Sequence, residues 1–255
     1  MLKKRINIGV IPAAGSGLRL GYLGRILPKC LLPVYDKPLL YYIIKNMSTV
    51  GVKTIYLIVN YRSDLIFDYV KQEQGRFKNI KIKFVYQNKL KGIAEAILLV
   101  KKYINESFIT ILGDDASFVS SLKNLVDIYY SKKAIVVEAM VREKNIDILK
   151  NTCCLKVDRE KRIIRIEEKP KIPFSNLRGA GIYIFDKCIF DYIEKTPISE
   201  IRNEREITDT IKLIASEKLA YADFLRGVNV NINTCSDLLS AWLEFKRSLL
   251  TEKYY

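Results

Sequence analysis

Apolar runs alternate with amphipathic segments along the first half of the chain. The runs are rich in Ile, Val, Leu and aromatic residues, which predicts buried strands over residues 6–11, 54–59, 80–86 and 108–112. Between them apolar residues recur at helical spacing, which predicts helices over residues 39–47, 63–71 and 93–103. Pro38 is favoured as a first helical residue, and Ser63 is expected to cap the second helix. This alternation is typical of a parallel sheet covered by helices.

The second half of the chain is richer in predicted strands, at residues 134–141, 154–157, 163–167 and 180–185. Short helices are expected at residues 186–194, 207–217 and 237–249. No internal repeat, low-complexity tract or linker interrupts the pattern. The interpretation is therefore one α/β domain over residues 1–255, with a mixed, mainly parallel sheet flanked by helices.

The composition of the 255 residues fits a globular protein, since 49% are hydrophobic and 28% are charged. No apolar run approaches the roughly 20 residues of a membrane-spanning helix, and residues 1–5 lead into the first strand without a signal-peptide pattern. Five cysteines without metal-type spacing are typical of reduced thiols, so a cytoplasmic location is expected. The absence of histidine excludes Ser-His and Cys-His nucleophiles and His-bound metals.

A formal net charge of +15 favours anionic partners. Lys and Arg are nevertheless spread along the chain, without a long basic block or an RNA-binding aromatic motif, so no nucleic-acid partner is expected. Phosphorylated small molecules are the anionic ligands that then suit the charge. The 16 Tyr and 10 Phe residues belong either to the core or to an interface between copies of the chain, which leaves a homo-oligomer open.

Five small residues follow the first predicted strand, namely Ala13, Ala14, Gly15, Ser16 and Gly17. Small residues let backbone amides approach a ligand, and Arg19 and Lys29 supply cations further along. These parts are the ones needed to hold a polyphosphate, although an ordinary strand-to-helix turn fits the same residues. The loop lacks the Gly-Lys-Ser/Thr ending of a Walker A motif, and Leu20 stands where a dinucleotide fingerprint needs its third glycine.

Three further segments carry polar residues that suit a ligand. Gly113-Asp114-Asp115 ends a predicted strand, where carboxylates suit Mg²⁺, although Gly and Asp also form ordinary turns. Gln87 precedes Gly92 in a loop that opens a helix, and its amide can read the edge of a base. Glu168 and Lys169 follow another strand, in a segment that by itself is typical of an exposed charged turn.

Together these segments resemble the signature motifs of the sugar-1-phosphate nucleotidyltransferase family. Residues 15–19 (GSGLR), 28–29 (PK) and 32–38 (LPVYDKP) are similar to its Gly-x-Gly-Thr-Arg, Pro-Lys and Leu-Pro-x-x-x-Lys-Pro motifs. Residues 178–183 and 204–209 resemble its Gly-Ile-Tyr and Glu-Ile-Thr-Asp segments. The resemblance implies a Rossmann-like fold of the nucleotide-diphospho-sugar transferase type. It also implies that an NTP and a sugar 1-phosphate react to give an NDP-sugar and pyrophosphate.

The resemblance further implies a nucleotide-binding half at residues 1–130, a sugar-binding half at residues 131–255, and a role for each matching residue. The implied contacts are to the nucleotide from Ala13, Ala14, Gly15, Ser16, Gly17, Gln87 and Gly92, to the reacting phosphates from Arg19, Lys29 and Lys169, to the sugar from Glu168, Gly179 and Glu204, and to Mg²⁺ from Asp114 and Asn231. Asp115 is a secondary candidate for the metal.

The match departs from the family pattern at three positions. Leu18 replaces the usual Thr, Cys153 replaces a Gly that meets the sugar, and Asn231 replaces an Asp ligand, as in N-acetylglucosamine-1-phosphate uridylyltransferases. The nucleotide loops look most like those of UTP–glucose-1-phosphate uridylyltransferases, with glucose-1-phosphate thymidylyltransferases next. Two alternatives stay open: a cytidylyltransferase for a non-sugar phosphate such as phosphocholine, which an aromatic cage would favour, and a non-catalytic nucleotide-sugar sensor.

Overall fold

The structure is a computed structural model, and it describes residues 5–200 and 202–250. Its strands are β1 (Ile8–Pro12), β2 (Pro33–Val34), β3 (Lys37–Pro38), β4 (Thr54–Val59), β5 (Lys81–Tyr86), β6 (Phe108–Ile111), β7 (Asp115–Ser121), β8 (Val136–Arg142), β9 (Cys153–Val157), β10 (Ile163–Glu168), β11 (Leu177–Phe185), β12 (Ala220–Phe224) and β13 (Arg226–Asn231). Its helices are α1 (Tyr22–Ile26), α2 (Leu39–Ser48), α3 (Ser63–Glu73), α4 (Ile93–Leu98), α5 (Lys123–Lys132), α6 (Ile146–Lys150), α7 (Ile189–Lys195), α8 (Ile207–Ser216) and α9 (Cys235–Leu250).

Nine of these strands form a mixed sheet whose central part is parallel. β1 pairs in parallel with β4 on one side and β6 on the other, and β5 extends the parallel part beyond β4. β11 runs antiparallel to β6, β8 and β9, and β10 lies at the edge next to β9. β12 pairs in parallel with β8. The predicted fold class, an α/β fold with a mainly parallel sheet flanked by helices, is confirmed.

Apolar side chains are buried on both faces of the sheet. One core cluster packs α2, α3, α5 and α9 against one face, and a second packs α4, α7 and α8 against the other. Successive strand side chains point to opposite faces, so β1 contributes Ile11 to the first cluster and Ile8 and Val10 to the second. Burial on both faces explains why these strands are uninterrupted apolar runs in the sequence. No helix within the described part of the chain is both long and apolar enough to cross a membrane.

A two-stranded ribbon of β7 and β13 follows β6 after three intervening residues. Phe118 of β7 packs against Phe245 of α9, with 4.3 Å between ring centroids, and against Tyr42 of α2 at 5.4 Å. Asn231 at the end of β13 lies opposite Asp115 at the start of β7. The ribbon therefore brings a segment from near the end of the chain beside the residues that follow β6.

The structure corrects several predicted element boundaries. Ser63 is the first residue of α3 and makes no capping hydrogen bond, and Arg62 before it has a left-handed φ of 50°. Pro38 precedes α2 in extended conformation, and α4 ends at Leu98, short of the predicted helix to residue 103. The sequence pattern does not predict β7, β12 and β13, because Ser, Asn, Asp and Gly interrupt their apolar residues.

Candidate active site

A cavity of about 350 Å³ lies at the carboxyl ends of the central parallel strands. Eleven of the residues implicated by the family resemblance line it: Ala13, Ala14, Gly15, Ser16, Lys29, Gln87, Gly92, Asp114, Glu168, Lys169 and Glu204. A volume of this size falls within the range of small-molecule sites. The fold therefore brings most of the implicated residues, which are far apart in sequence, to one pocket.

The small-residue loop leaves β1 and forms one wall of the cavity. The Ala13 amide donates to the Ile58 carbonyl at 2.8 Å, which continues the parallel pairing by one residue. The four following amides, up to Gly17, donate no hydrogen bond to any described residue. Gly17 has a left-handed φ of 67°, which favours glycine. Unpaired amides in a tight loop form a concave, positively polarised surface that suits phosphate oxygens.

Asp114 lies directly beside this loop because the chain packs tightly there. The Gly113 amide donates to the Pro12 carbonyl at 2.9 Å, and a Cβ at residue 113 would lie 2.7 Å from that same oxygen. Only glycine allows this approach, which sets the Asp114 carboxylate at the mouth of the loop. Lys29 Nζ donates to Asp114 Oδ2 at 3.0 Å, and both side chains are largely buried, with 13% and 25% exposed.

Asn233 is a site residue that the sequence reasoning missed. Its Oδ1 accepts hydrogen bonds from Lys29 Nζ at 2.8 Å and from Arg19 Nη2 at 2.5 Å. Its Nδ2 donates to Asn231 Oδ1 at 2.8 Å. Arg19 and Asn231 line an adjacent groove and not the cavity itself, so Asn233 connects the two depressions. The repeat of asparagine at residues 229, 231 and 233 was the available signal, since alternate strand residues share a face.

The opposite end of the cavity is acidic. Burial and the nearby Glu206 charge raise the pKa of Glu168, whose Oε2 accepts from the Thr208 hydroxyl at 3.0 Å. Burial, followed by the Glu206 charge, likewise raises the pKa of Glu204. Arg202 lies 2.7 Å from Glu206 and 3.8 Å from Glu168 and offsets part of this charge. Glu206 also lines the cavity, although the sequence reasoning did not assign it a role.

Lys169 lies beside Glu168 in a constrained turn. Its φ of 50° is left-handed, and its amide donates to the Thr152 carbonyl at 3.0 Å. A residue held in this uncommon conformation is over-determined by its surroundings, which is frequent at functional sites. Lys169 Nζ lies 3.9 Å from Glu168 Oε1 and is the one cation among the residues that line this end of the cavity.

The loop from Gln87 to Gly92 is tied to the segment that carries Glu204. The Lys91 carbonyl accepts from the Arg205 amide at 3.0 Å, and a Cβ at Gly92 would lie 2.6 Å from the Arg205 carbonyl oxygen. Gly92 also has a φ of 95°, outside the range of most side-chain-bearing residues. Gln87 is buried and lines the cavity. The two sides of the cavity are thus joined by direct backbone contact.

Besides Arg19 and Asn231, three implicated residues lie away from the cavity lining. Gly17 packs beneath the Lys29 side chain. Gly179 faces the buried side chain of Glu138. Asp115, the secondary metal candidate, is buried between β7 and β13, where Asn229 Nδ2 donates to it at 2.6 Å and Ser117 also donates. Burial raises the pKa of Asp115 to about 7.

A divalent cation has a suitable donor set at Asp114 and Asn231. The described residues contain no group of three or more His, Cys, Asp or Glu side chains arranged around one point. The Ile232 amide donates to the Asp114 carbonyl at 2.8 Å, which holds the two segments together. One carboxylate and one amide oxygen fit Mg²⁺, which prefers few protein oxygens together with water and substrate phosphates.

The chain is similar in sequence to known proteins. A family model described as Nucleotidyl transferase matches residues 8–245. The chain is 38% identical over 232 residues to a bifunctional protein GlmU of Methanocaldococcus jannaschii, covering 91% of this chain and 52% of that protein. It is 34% identical over 207 residues to a bifunctional sugar-1-phosphate nucleotidylyltransferase/acetyltransferase of Sulfurisphaera tokodaii, covering 81% of this chain and 47% of that protein. The chain therefore spans about half the length of the curated relatives it matches.

A solved structure has the same fold over nearly its whole length. The crystal structure of a UDP-glucose pyrophosphorylase complexed with UDP-glucose aligns with a TM-score of 0.85 at 25% identity. The alignment covers 95% of this chain and 99% of that one.

Proposed function

Because the chain belongs to the nucleotidyl transferase family, we propose that it transfers a nucleotidyl group from an NTP to a sugar 1-phosphate, giving an NDP-sugar and pyrophosphate. The observation that carries this proposal is the cavity itself. A loop with unpaired amides lies at one end, Glu168 and Lys169 lie at the other, and the Lys29–Asp114 pair lies beside the loop. These are the parts that a polyphosphate and a phosphorylated sugar need in one pocket.

The reaction needs positioning and charge neutralisation more than proton transfer. The sugar phosphate is already an anion at neutral pH, so its oxygen attacks the α-phosphorus without a general base. The new bond joins that oxygen to the α-phosphorus, and the bond from the α-phosphorus to the bridging oxygen breaks as pyrophosphate leaves. Lys169 holds the attacking phosphate, and Lys29 holds the triphosphate. Arg19 holds the part of the triphosphate that leaves as pyrophosphate.

Asp114 and Asn231 are the residues that would hold Mg²⁺. When bound there, the ion would supply positive charge that offsets the charge of the phosphates. Lys29 and Asp114 form an ion pair at 3.0 Å, which orients the carboxylate in the free protein. Asn233 holds Lys29 and Arg19 on the same side of the cavity mouth.

UTP is the proposed nucleotide, dTTP is the next candidate, and glucose 1-phosphate is the first acceptor to test. Gln87 and Gly92 line the cavity, the family resemblance implies that they read a pyrimidine, and the UDP-glucose pyrophosphorylase of the same fold was solved with UDP-glucose. Faster turnover with dTTP than with UTP in a steady-state comparison would reverse this preference.

No observation favours the two alternatives. No Tyr, Phe or Trp is among the described residues that line the cavity, so the aromatic cage that would bind a quaternary ammonium group is missing from this lining. A sensor would have little use for three phosphate-directed cations, and Arg19, Lys29 and Lys169 are all present.

The test is pyrophosphate release with Mg²⁺, for UTP, dTTP, CTP, ATP and GTP, each with glucose, glucosamine and N-acetylglucosamine 1-phosphates. We expect release that requires both substrates and is fastest with UTP. Pyrophosphate release with phosphocholine, but with none of the sugar 1-phosphates, would support the cytidylyltransferase. Failure of all pairs, with UTP still raising the melting temperature, would refute the proposed transfer to these sugars.

A further inference from the structure

Glu138 of β8 is a fully buried carboxyl group that the proposed mechanism does not use. Its side chain is 0% exposed, neither Oε1 nor Oε2 has a partner in good hydrogen-bonding geometry among the described residues, and the neighbouring Tyr183 side chain only partly opposes the effect of burial on its pKa. Burial raises the pKa of Glu138 to about 8, and the Glu168 charge adds to this rise. A buried polar group without a partner costs free energy, so its presence calls for a ligand or a functional reason.

Strand pairing places Glu138 on the same side of the sheet as the acidic end of the cavity. Glu168, Cys153, Gly179 and Met140 form one row across β10, β9, β11 and β8. Glu138 is two residues from Met140 on β8, so its side chain leaves the same face of the sheet in the next row. Glu168, at the end of the first row, lines the cavity.

Gly179 leaves room that the Glu138 carboxyl group fills. A Cβ at residue 179 would overlap Glu138 Oε1, and the next nearest neighbour would be Cys153 Cβ at 3.6 Å. The carboxyl group therefore points away from its own row, towards the row that ends at Glu168. Gly179 is also the residue for which the family resemblance implies a sugar contact.

An irregularity in the sheet occurs at the same point. Gly179 pairs with Met140 and Tyr183 pairs with Glu138, so β11 uses four residues where β8 uses two. Gly181 within this bulge has a left-handed φ of 68°. Bulges re-aim neighbouring side chains and are frequent beside active sites. The bulge increases the distance along β11 between Gly179 and Tyr183. The Glu138 side chain extends from the row of Tyr183 into the row of Gly179.

We propose that Glu138 determines acceptor specificity, by hydrogen bonding to a hydroxyl or amino group on the ring of the sugar 1-phosphate. This inference rests on the proposed function. A carboxyl group in its neutral form offers one donor and one acceptor, which suits a sugar hydroxyl. Glu138 and Gly179 lie behind the cavity lining, and the absence of a side chain at Gly179 lets the Glu138 carboxyl group extend into the row that ends at the lining residue Glu168.

The test compares Glu138→Met, which keeps the approximate volume and loses both polar atoms, with Glu138→Gln, which keeps a donor and an acceptor. The dissociation constants of the three sugar 1-phosphates are measured by calorimetry, with Mg²⁺ and the non-reacting analogue α,β-methylene-UTP present. We expect Glu138→Met to weaken binding of the preferred sugar 1-phosphate about tenfold, the loss of one hydrogen bond, and Glu138→Gln to stay within about threefold. Binding of the UTP analogue stays unchanged in both.

Two further variants separate a sugar contact from a packing effect. Met140→Leu, on the same face of β8, leaves sugar binding unchanged. Gly179→Ala displaces the Glu138 carboxyl group, so it weakens binding of the sugar 1-phosphate and leaves binding of the UTP analogue unchanged.

The outcomes distinguish this inference from the proposed function. Equal sugar binding by wild type and Glu138→Met overturns the inference, as does an equal weakening of the UTP analogue. Sugar binding with the expected losses but no pyrophosphate release by the wild type overturns the proposed reaction and leaves the Glu138 contact standing. No binding of any sugar 1-phosphate to the wild type overturns both.

Discussion

Replacing Glu138 with Gln should make the protein more stable, and increasingly so as pH rises. The folded protein holds the pKa of Glu138 at about 8, against an ordinary value of 4.5. The folded state therefore binds the proton more tightly than the unfolded state, and the free energy of unfolding falls as pH rises between these two values. Gln cannot ionise, so the variant lacks this loss.

The size of the effect follows from the two pKa values. Proton linkage lowers the free energy of unfolding of the wild type by about 1 kcal/mol at pH of about 5 and by about 4 kcal/mol at pH of about 8. At the higher pH, Glu138 remains protonated in half of the folded molecules. The stability difference between variant and wild type should therefore grow by about 3 kcal/mol across this range. Full burial of the carboxyl group means that solvent screening reduces this figure little.

The assay is urea unfolding followed by circular dichroism, repeated at several pH values for both proteins. Asp115, with a pKa of about 7, titrates in the same range in both proteins and so largely cancels in the difference. The control is Glu167→Gln, which removes an exposed carboxylate next to the cavity residue Glu168. A Glu138→Gln curve parallel to that of the wild type would show that Glu138 is either solvated or paired, and would refute the reasoning.

Three further predictions address the cavity. Lys29→Ala should lower kcat at least about a hundredfold because the triphosphate loses its largely buried cation, whereas the exposed Lys246→Ala should retain wild-type kcat; equal rates would remove Lys29 from the mechanism. Gly92→Ala should cost about 1–3 kcal/mol in urea unfolding, since its φ is 95° and its Cβ would lie 2.6 Å from a backbone oxygen. Gly75→Ala, with open space at its Cβ, should cost much less, and equal costs would contradict the close approach at Gly92. Asn233→Ala should raise KM for the NTP about tenfold, because two cations lose their shared acceptor, with KM for the sugar phosphate unchanged; the reverse pattern would contradict this role.

The sequence by itself determined the parallel half of the sheet and most of the cavity lining. Strands buried on both faces must be continuous apolar runs, so β1, β4 and β6 are readable without a structure. The loop after β1 and the turn after β6 each follow the carboxyl end of a parallel strand. The carboxyl ends of parallel strands meet at one edge of the sheet. The association of Ala13 to Ser16 with Asp114 therefore follows from local pattern alone.

Only the tertiary structure decided what the remaining polar residues do. β7 and β13 have mixed sequences, and their burial comes from pairing with each other and packing against α2 and α9. That pairing places Asn233 between Arg19 and Lys29, and buries Asp115 while leaving Asp114 at the cavity. Glu138 likewise reads as an ordinary charged residue in its sequence. Its position behind Gly179 depends on register across three strands, which no local pattern contains because each contact joins residues distant in the chain.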